Sequence, residues 1–398
     1  MGLAGKACGW VPRTVRASGI RLAPPDARYH LLDAWRGLAC LAVVVHHAGY
    51  VLQPEDLENG SIVREAIATL LDLGQQGVTI FFVISGYSIA ASLDGTRRRG
   101  GTAGDFLRRR LRRIYPPYWA ALAGFVVLVL ALDGLGLERL HRGRYVVELD
   151  APGQLGLPEW IGNLTLTETL RSHIIGPERN VYTAVAWSLC YEVQFYLVCA
   201  VVLVLTRRRL FAGLLVVTIL CLGLQARARA LDQWAALAGS FALWWEQFAV
   251  GLAVYWRVNH APTRWAAHRV DLALLVLAGY GLGTDDPEMT LAAAFALLLI
   301  AARRWDQPER WPGWLRWLHH VGLRSYSIYL VHLPVVVVTS LALIGLGLTG
   351  YWQRVGIVLP LASLAGAAAG WPFFTWVESR FLSAHDRRER AKTSDGGG

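Results

Sequence analysis

The chain has 398 residues, of which 54% are hydrophobic and 17% charged, with a mean hydropathy of +0.36; this composition excludes an ordinary soluble domain and indicates an integral membrane protein. The formal net charge of +10 does not indicate a nucleic-acid partner, because the basic residues lie between apolar stretches, where topology alone explains them. The five cysteines show no CxxC spacing, so neither a disulfide framework nor a metal site is indicated.

Apolar stretches along the chain predict ten membrane spans, since about 20 residues are needed to cross a bilayer. The predicted spans are about 31–52, 74–93, 117–132, 183–205, 210–226, 235–256, 268–283, 288–303, 323–346 and 353–378. The fold predicted from them is an all-α polytopic membrane protein with about ten transmembrane helices in a single bundle.

Charge sets the expected orientation of this bundle. An even number of spans places both termini on one side. If the N-terminus is cytoplasmic, the cytoplasmic segments hold 29 of the 39 Lys and Arg residues, as the positive-inside rule requires. The basic segment 1–30 and a disordered tail at 382–398 are therefore predicted to be cytoplasmic, flanking one membrane domain at 31–381. Residues 133–182 are predicted to be a long extracytoplasmic loop.

The first span, LLDAWRGLACLAVVVHHAGY (31–50), carries Asp33, Arg36, His46 and His47. A charge at membrane depth costs about 2.5–3.5 kcal/mol, so these residues indicate a functional site. Arg36 and His47 are 11 positions apart, which places them on one helix face about 16 Å apart along the axis, while His46 points about 80° away. A fixed cation and a titratable imidazole on one face suit the anchoring of an anionic tail and acid–base or acyl chemistry. Both groups are therefore expected to open into a single cleft rather than into separate ones.

Two further stretches carry weaker signals. GVTIFFVISGYSIAAS (77–92) places Ser85 and Gly86 among large apolar residues, which favours close helix packing over ligand binding. FLRRRLRRIYPPYW (106–119) is a basic helix whose Arg110 and Arg113 share a face. Taken alone, this pattern is typical of a helix that binds lipid headgroups or marks the cytoplasmic side. The two guanidinium groups could also clamp a phosphorylated ligand.

Two later stretches place polar groups inside spans. AWSLCYEVQFYL (186–197) contains Glu192, which needs a partner or a proton at membrane depth. An ion pair with Arg36 and a role at the site explain it equally well. SYSIYLVHLPVV (325–336) aligns Tyr329 and His332 on one face, although a single membrane histidine is more often a packing residue.

Together these five stretches resemble the acyltransferase 3 family, the membrane O-acyltransferases of bacterial polysaccharides, lipopolysaccharide and antibiotics. The family signature of a basic residue, ten positions and a histidine maps onto Arg36 and His47. The arginine-rich segment, WSLCYEVQFYL, SYSIYLVHLPV and the closing WVESRF with Glu378 follow in the family order. Two positions depart from the pattern: Thr79 replaces an aspartate, and Val193 replaces a second glutamate.

The resemblance implies transfer of an acyl group, most often acetyl, from cytoplasmic acyl-CoA to a hydroxyl of a carbohydrate or glycoconjugate, in the bacterial inner membrane and without a metal. Arg36, Arg110 and Arg113 would hold the phosphates of acetyl-CoA or another acyl-CoA. His47 would act as general base or carry the acyl group, with Asp33 orienting Arg36. Asp33 and Glu192 are implied as further catalytic residues. Glu192 and His332 would orient His47 or the acceptor, and Ser85, Tyr329 and His332 would support the substrate.

Three alternatives stay open on the residues. The acceptor could be a small molecule such as a macrolide-type antibiotic, acylated from the cytoplasmic side. A transporter could use the buried charges as a substrate or proton path, giving flux without acyl-CoA consumption; the absence of an internal sequence repeat argues against it. A membrane scaffold without chemistry leaves the register of Arg36 and His47 unexplained.

Overall fold

The computed structural model describes residues 28–52, 61–138, 151–176 and 181–382. Nearly all of the predicted cytoplasmic segments 1–30 and 382–398 lie outside these ranges. Within the ranges the secondary structure is helical, and no strand is present. The α-helices of eight residues or more are α1 (Leu31–Gly49), α2 (Ile62–Asp72), α3 (Gly77–Arg98), α4 (Ala103–Gly134), α5 (Leu157–Thr165), α6 (Glu168–Ile175), α7 (Trp187–Leu205), α8 (Leu210–Ala230), α9 (Trp245–Asn259), α10 (Arg264–Gly283), α11 (Pro287–Ala302), α12 (Gly313–Gly322), α13 (Ser325–Gly345) and α14 (Leu359–Trp376).

Several helices begin at side chains that cap their free backbone N–H groups. Thr102 and Asp105 form a capping box at the start of α4, in which each side chain accepts a hydrogen bond from the other residue's backbone N–H, 3.1 and 2.9 Å. Thr263 and Asp286 each accept a backbone N–H at the starts of α10 and α11. Polar residues between the apolar stretches therefore set where these helices begin.

The start of α1 is held by a residue distant in sequence. The carboxylate of Asp306, between α11 and α12, accepts the backbone N–H groups of His30 and Leu31 at 3.1 and 2.9 Å. Burial raises the pKa of Asp306 and lowers that of the neighbouring His319. This contact fixes the end of α1 that carries Asp33 and Arg36.

Seven helical segments of the described chain are long and apolar enough to cross a membrane. They are Leu31–Gly49, Ile62–Arg98, Ala103–Gly134, Ala184–Leu205, Arg207–Ala230, Ser325–Gly345 and Tyr351–Arg380. Each corresponds to one of the ten predicted spans, and together they confirm an all-α membrane protein.

The remaining three predicted spans, 235–256, 268–283 and 288–303, do not meet the same criteria, so the count of ten is not confirmed. Two 3₁₀ turns and Gly239, with φ of +76°, interrupt the first of them. The helix that is left, α9, has 15 residues and is about 22 Å long, against a hydrocarbon core of about 30 Å. Helix α11 has only 16 residues, and α10 carries Arg264, Arg269 and Asp271 in its first half.

The stretch 133–182, predicted as a long loop, contains the short helices α5 and α6 in its described part. They pack back onto the bundle. Tyr118 and Trp119 of α4 each donate a hydrogen bond of 2.9 Å, to the carbonyl groups of Asn163 and Leu164 respectively. This segment therefore covers the side of α4 that follows the arginine cluster.

Glycines bring two pairs of helices into backbone contact. A Cβ at Gly86 of α3 would overlap the carbonyl group of Phe248 in α9, and one at Gly251 of α9 would overlap the backbone of α3. Helices α1 and α12 meet in the same way at Gly37 and Gly322. The packing explanation of Gly86 is confirmed, and these crossings fix α3 against α9 and α1 against α12.

Candidate active site

Two pockets adjoin each other beside α1. The first, which we name the arginine pocket, has a volume of about 120 Å³ and includes Arg36, Ser85, Ser88, Arg110, Arg113 and Glu192 in its lining. The second, the histidine pocket, has a volume of about 180 Å³ and includes His47, Thr79, Trp187, Trp244, Gln247 and Glu288. Both are lined by Val78 of α3.

Arg36 is fixed at both ends of its guanidinium group. One nitrogen donates to Asp33 at 2.7 Å and another to the hydroxyl of Ser88 at 2.5 Å. Asp33 is only 5% exposed and also accepts from Arg28 at 2.7 Å. Asp33 thus holds the guanidinium of Arg36 in place one turn further along α1.

Arg110 and Arg113 of α4 enter the same pocket from the opposite side. Arg110 donates to the backbone carbonyl of Ser88 at 2.7 Å, and its guanidinium lies 5.7 Å from the ring centre of Tyr196. Its Nε is buried, and no hydrogen-bond partner for it exists among the described residues. Three guanidinium groups with one donor still unused make this pocket suited to an anionic ligand.

Glu192 provides the carboxylate of the arginine pocket. It accepts hydrogen bonds from Ser85 at 3.0 Å and from Tyr196 at 2.6 Å. Its partners are therefore hydroxyl groups, whereas Arg36 pairs with Asp33. Tyr329 also lines this pocket, where its hydroxyl lies 2.7 Å from that of Ser188.

His47 is paired with His332 across the interface of α1 and α13. Nδ1 of His47 lies 3.0 Å from Nε2 of His332. The ring of His332 is fully buried, and its Nδ1 lies 3.0 and 2.9 Å from the backbone carbonyls of Ile328 and Tyr329. Of the two roles predicted for His332, orienting His47 is the one that this contact supports.

The hydrogen bonds determine the tautomers of the pair. Carbonyl oxygens only accept, so Nδ1 of His332 carries a proton, and in the neutral ring its Nε2 must then be an acceptor. Nδ1 of His47 consequently donates to it. The Nε2 of His47 is left unprotonated, with no hydrogen-bond partner in the described parts of the chain, which is the state that a general base or a nucleophile needs.

His46, the neighbouring imidazole, has a different environment. Its Nδ1 lies 3.0 Å from the carbonyl of Leu71 and its Nε2 lies 3.2 Å from the hydroxyl of Tyr50. Both ring nitrogens are thus engaged, and the contact with Leu71 holds α1 against α2. His46 lines the histidine pocket as His47 does, with the two ring centres 5.4 Å apart, but only His47 contacts His332.

The structure divides the single cleft expected for Arg36 and His47 into two. Each residue lines its own pocket, and about 16 Å of helix rise separates them. Helix α13 connects the two, because Tyr329 lines the arginine pocket while His332, one turn later, contacts His47. The nine site residues predicted from the sequence thus form two groups, one at each pocket, and Val78 lines both pockets.

The site residues that the sequence did not predict include Ser88, Tyr196, Trp244 and Gln247. Gln247 carried a usable signal, since a polar amide beside Glu246 inside an apolar stretch is costly and calls for an explanation. Ser88 and Tyr196 carried none, because serine and tyrosine are common in membrane helices and their partners are known only from the fold.

Comparison with known proteins places this architecture among acyltransferases. The family model described as an acyltransferase domain, type 3, matches residues 29–376. Nodulation protein 10 of Rhizobium leguminosarum bv. viciae is 25% identical over 359 residues, covering 85% of this chain and 90% of that protein. The exopolysaccharide production protein ExoZ of Rhizobium meliloti (strain 1021) is 29% identical over 316 residues, covering 75% and 87%.

A third relative, the putative peptidoglycan O-acetyltransferase YrhL of Bacillus subtilis (strain 168), is 28% identical over 351 residues, covering 78% of this chain and 49% of that protein. No solved structure matches the chain.

The matched region runs from the residues just before α1 to the end of α14. It contains both pockets and every site residue predicted from the sequence. The chain therefore belongs to the acyltransferase 3 family and is an integral membrane enzyme that transfers acyl groups other than aminoacyl groups.

Proposed function

We propose that the protein transfers an acyl group, acetyl in the first instance, from acyl-CoA to a hydroxyl of a carbohydrate or glycoconjugate. The observation that carries this proposal is the His47–His332 pair. It leaves an unprotonated nitrogen on a residue that lines a pocket, and this pocket adjoins a second pocket lined by three arginines. A base next to an anion-binding pocket suits acyl transfer from a phosphorylated thioester.

The arginine pocket fits one part of acyl-CoA. Acyl-CoA carries phosphates at its nucleotide end and the thioester at the tip of a narrow pantetheine arm. A volume of about 120 Å³ is too small for the nucleotide but wide enough for the arm. Arg36, Arg110 and Arg113 would then meet the phosphates at the mouth, with the unused Nε of Arg110 as one donor.

In the reaction proposed, Nε2 of His47 takes the proton of the acceptor hydroxyl. The oxygen attacks the thioester carbonyl, the carbon–sulfur bond breaks, and the proton returns to the departing thiolate of CoA. His332 holds the ring throughout by accepting from Nδ1. The same Nε2 could instead carry the acyl group between two transfer steps. In that case, protein exposed to radiolabelled acetyl-CoA without acceptor and separated from it rapidly at neutral pH retains label, and His47→Ala does not.

A carbohydrate acceptor is favoured by the relatives. One is named for exopolysaccharide production and another for peptidoglycan O-acetylation. The histidine pocket, with amide, carboxylate and indole groups around His47, offers the polar and aromatic lining that a polyhydroxylated acceptor needs.

We further propose that α9, α10 and α11 complete a bundle of ten spans in the bacterial inner membrane, with both termini cytoplasmic. The charge distribution, 29 of 39 Lys and Arg on that side, supports this orientation. Cysteines placed at Asp285 and at Thr206 test it with a membrane-impermeant thiol reagent in intact cells. The first should be labelled and the second protected, and the reverse result would invert the topology.

The function is tested by comparing cells with the intact protein, with His47→Ala and with His46→Ala. Mass spectrometry of surface glycans and secreted metabolites should show an acyl modification that disappears in His47→Ala while the protein still inserts. His46→Ala should retain most of it. An unchanged modification in His47→Ala would refute the assigned role.

A further inference from the structure

The wall of the histidine pocket contributed by α9 and the turn before it contains polar atoms that the fold leaves unused. Gln247 is 1% exposed, yet neither its Nε2 nor its Oε1 has a hydrogen-bond partner among the described residues. The same holds for the buried Nε1 of Trp244. Leaving a buried donor or acceptor unsatisfied destabilises a fold, so three such atoms in one pocket require an explanation.

Neighbouring residues of the same types show that this region can satisfy such groups. The side-chain amide of Gln225, in α8, donates to the carbonyl of Ala242 at 2.6 Å and also to Glu246. Trp245, next in sequence to Trp244, donates its Nε1 to the hydroxyl of Thr218 at 3.0 Å. Gln225 leaves only its Oε1 without a partner, whereas Gln247 leaves both polar atoms of its amide and Trp244 its indole N–H.

The pocket also presents aromatic surface. The rings of Trp187 and Trp244 lie 5.7 Å apart, and Trp244 is backed by Phe82 and Tyr191 at 6.1 and 6.3 Å. Glu288 completes the polar lining, and His47 lies on the same pocket. Indole faces together with amide and carboxylate groups are complementary to a pyranose ring, which has apolar C–H faces and a rim of hydroxyl groups.

Building on the proposed function, we propose that the histidine pocket is the acceptor subsite and takes one hexopyranose unit. The amide of Gln247 offers a donor and an acceptor to hydroxyl groups of the sugar, and Nε1 of Trp244 donates to another. The ring lies against the indole surface. A volume of about 180 Å³ admits a single sugar ring, so a longer glycan would enter by a terminal or looped-out residue.

A leucine at position 247 distinguishes a structural role of the Gln247 amide from a role in ligand binding. If the amide served the fold, Gln247→Leu would destabilise the protein; because its atoms are unsatisfied, the leucine should leave the melting temperature equal or higher. Gln225→Leu is the matched control: it removes an amide that is hydrogen-bonded, so it should lower the melting temperature without changing sugar binding.

Binding is measured by saturation-transfer NMR on the full chain in lipid nanodiscs. The probes are the methyl glycosides of glucose, galactose, mannose and N-acetylglucosamine, with cyclohexylmethanol as a ring that has a single hydroxyl. At least one glycoside should bind the intact protein and cyclohexylmethanol should not. Gln247→Leu should weaken binding at least tenfold, and Trp244→Phe on the order of threefold to tenfold.

The proposal is overturned if no glycoside binds the intact protein, if cyclohexylmethanol binds equally well, or if Gln247→Leu binds sugar as the intact protein does. His47→Ala separates this result from the test of function, since it should still bind the glycoside while losing acyl transfer. Glycoside binding with transfer intact in His47→Ala would refute the catalytic assignment and leave the subsite standing. If instead the intact protein binds no glycoside while His47→Ala loses transfer, the subsite is refuted and the catalytic assignment stands.

Discussion

In the proposed reaction, His332 acts by accepting a hydrogen bond from His47 and keeping its imidazole in place. A buried acceptor that fixes one nitrogen of an imidazole leaves the other nitrogen with a defined lone pair. His332→Leu removes that acceptor, whereas His332→Gln retains a side-chain oxygen that can accept from Nδ1 of His47.

We therefore expect His332→Leu to lower kcat by about 10²–10⁴-fold, the usual contribution of general acid–base catalysis, with an unchanged KM for acyl-CoA. His332→Gln should recover part of the loss. Steady-state kinetics of the purified protein checks both, and a higher KM with unchanged kcat would instead place His332 in donor binding.

Arg110 combines a charge with a donor that the fold does not use. If that Nε meets a phosphate, Arg110→Gln should raise the KM for acyl-CoA by about 10–100-fold, since a charge-assisted hydrogen bond contributes about 1.5–3 kcal/mol. Arg110→Lys should recover only part, because lysine keeps the charge but loses the planar donor set. Arg108, whose side chain is 81% exposed, is the control, and Arg108→Gln should stay within about twofold. Equal effects at both positions would indicate a general electrostatic attraction.

At the scale of helices, the glycine contact between α3 and α9 sets the spacing of both pockets. Helix α3 carries Ser85 and Ser88 of the arginine pocket, while α9 carries Gln247 of the histidine pocket. A methyl group at Gly86 has no room against the carbonyl of Phe248, so the helices must move apart.

We expect Gly86→Ala to destabilise the protein by about 1–3 kcal/mol and to impair transfer. Gly124→Ala in α4 is the matched control: nothing lies within 4 Å of its added Cβ, and the higher helix propensity of alanine should stabilise it by up to about 1 kcal/mol. Thermal unfolding in detergent measures both. A neutral Gly86→Ala would show that the crossing is not rigid.

Helix-level features divide into those that sequence can predict and those that it cannot. Hydropathy locates α1, α7 and α13 because each is a long stretch in which apolar residues predominate. It does not show the break within 235–256, since the turn at Gly239 is a matter of backbone conformation and leaves the hydropathy almost unchanged. The folding of α5 and α6 onto α4 depends on tertiary hydrogen bonds that no local pattern shows.

Across the whole molecule, the sequence predicted the identity of the candidate site residues better than the contacts between them. The register of Arg36 and His47 on α1 and the order of the family motifs were enough to assign the family. The contact between His47 and His332 joins residues 285 positions apart, so only the fold reveals which of the candidate groups orients the imidazole. The division of one expected cleft into two pockets likewise results from side chains of several helices meeting at Val78.

Because the two pockets share Val78, the proposed donor and acceptor meet beside this residue. In the proposed reaction the thioester reaches His47 from the arginine pocket, and Val78 lines both pockets. Val78→Trp should close the connection and abolish acyl transfer, while Val78→Ala should leave it open. Binding of acyl-CoA, measured by isothermal titration calorimetry, should persist in Val78→Trp because the arginines are untouched. Transfer at the normal rate in Val78→Trp would mean that the thioester reaches His47 by another route, and loss of donor binding would mean that the arginine pocket extends past Val78.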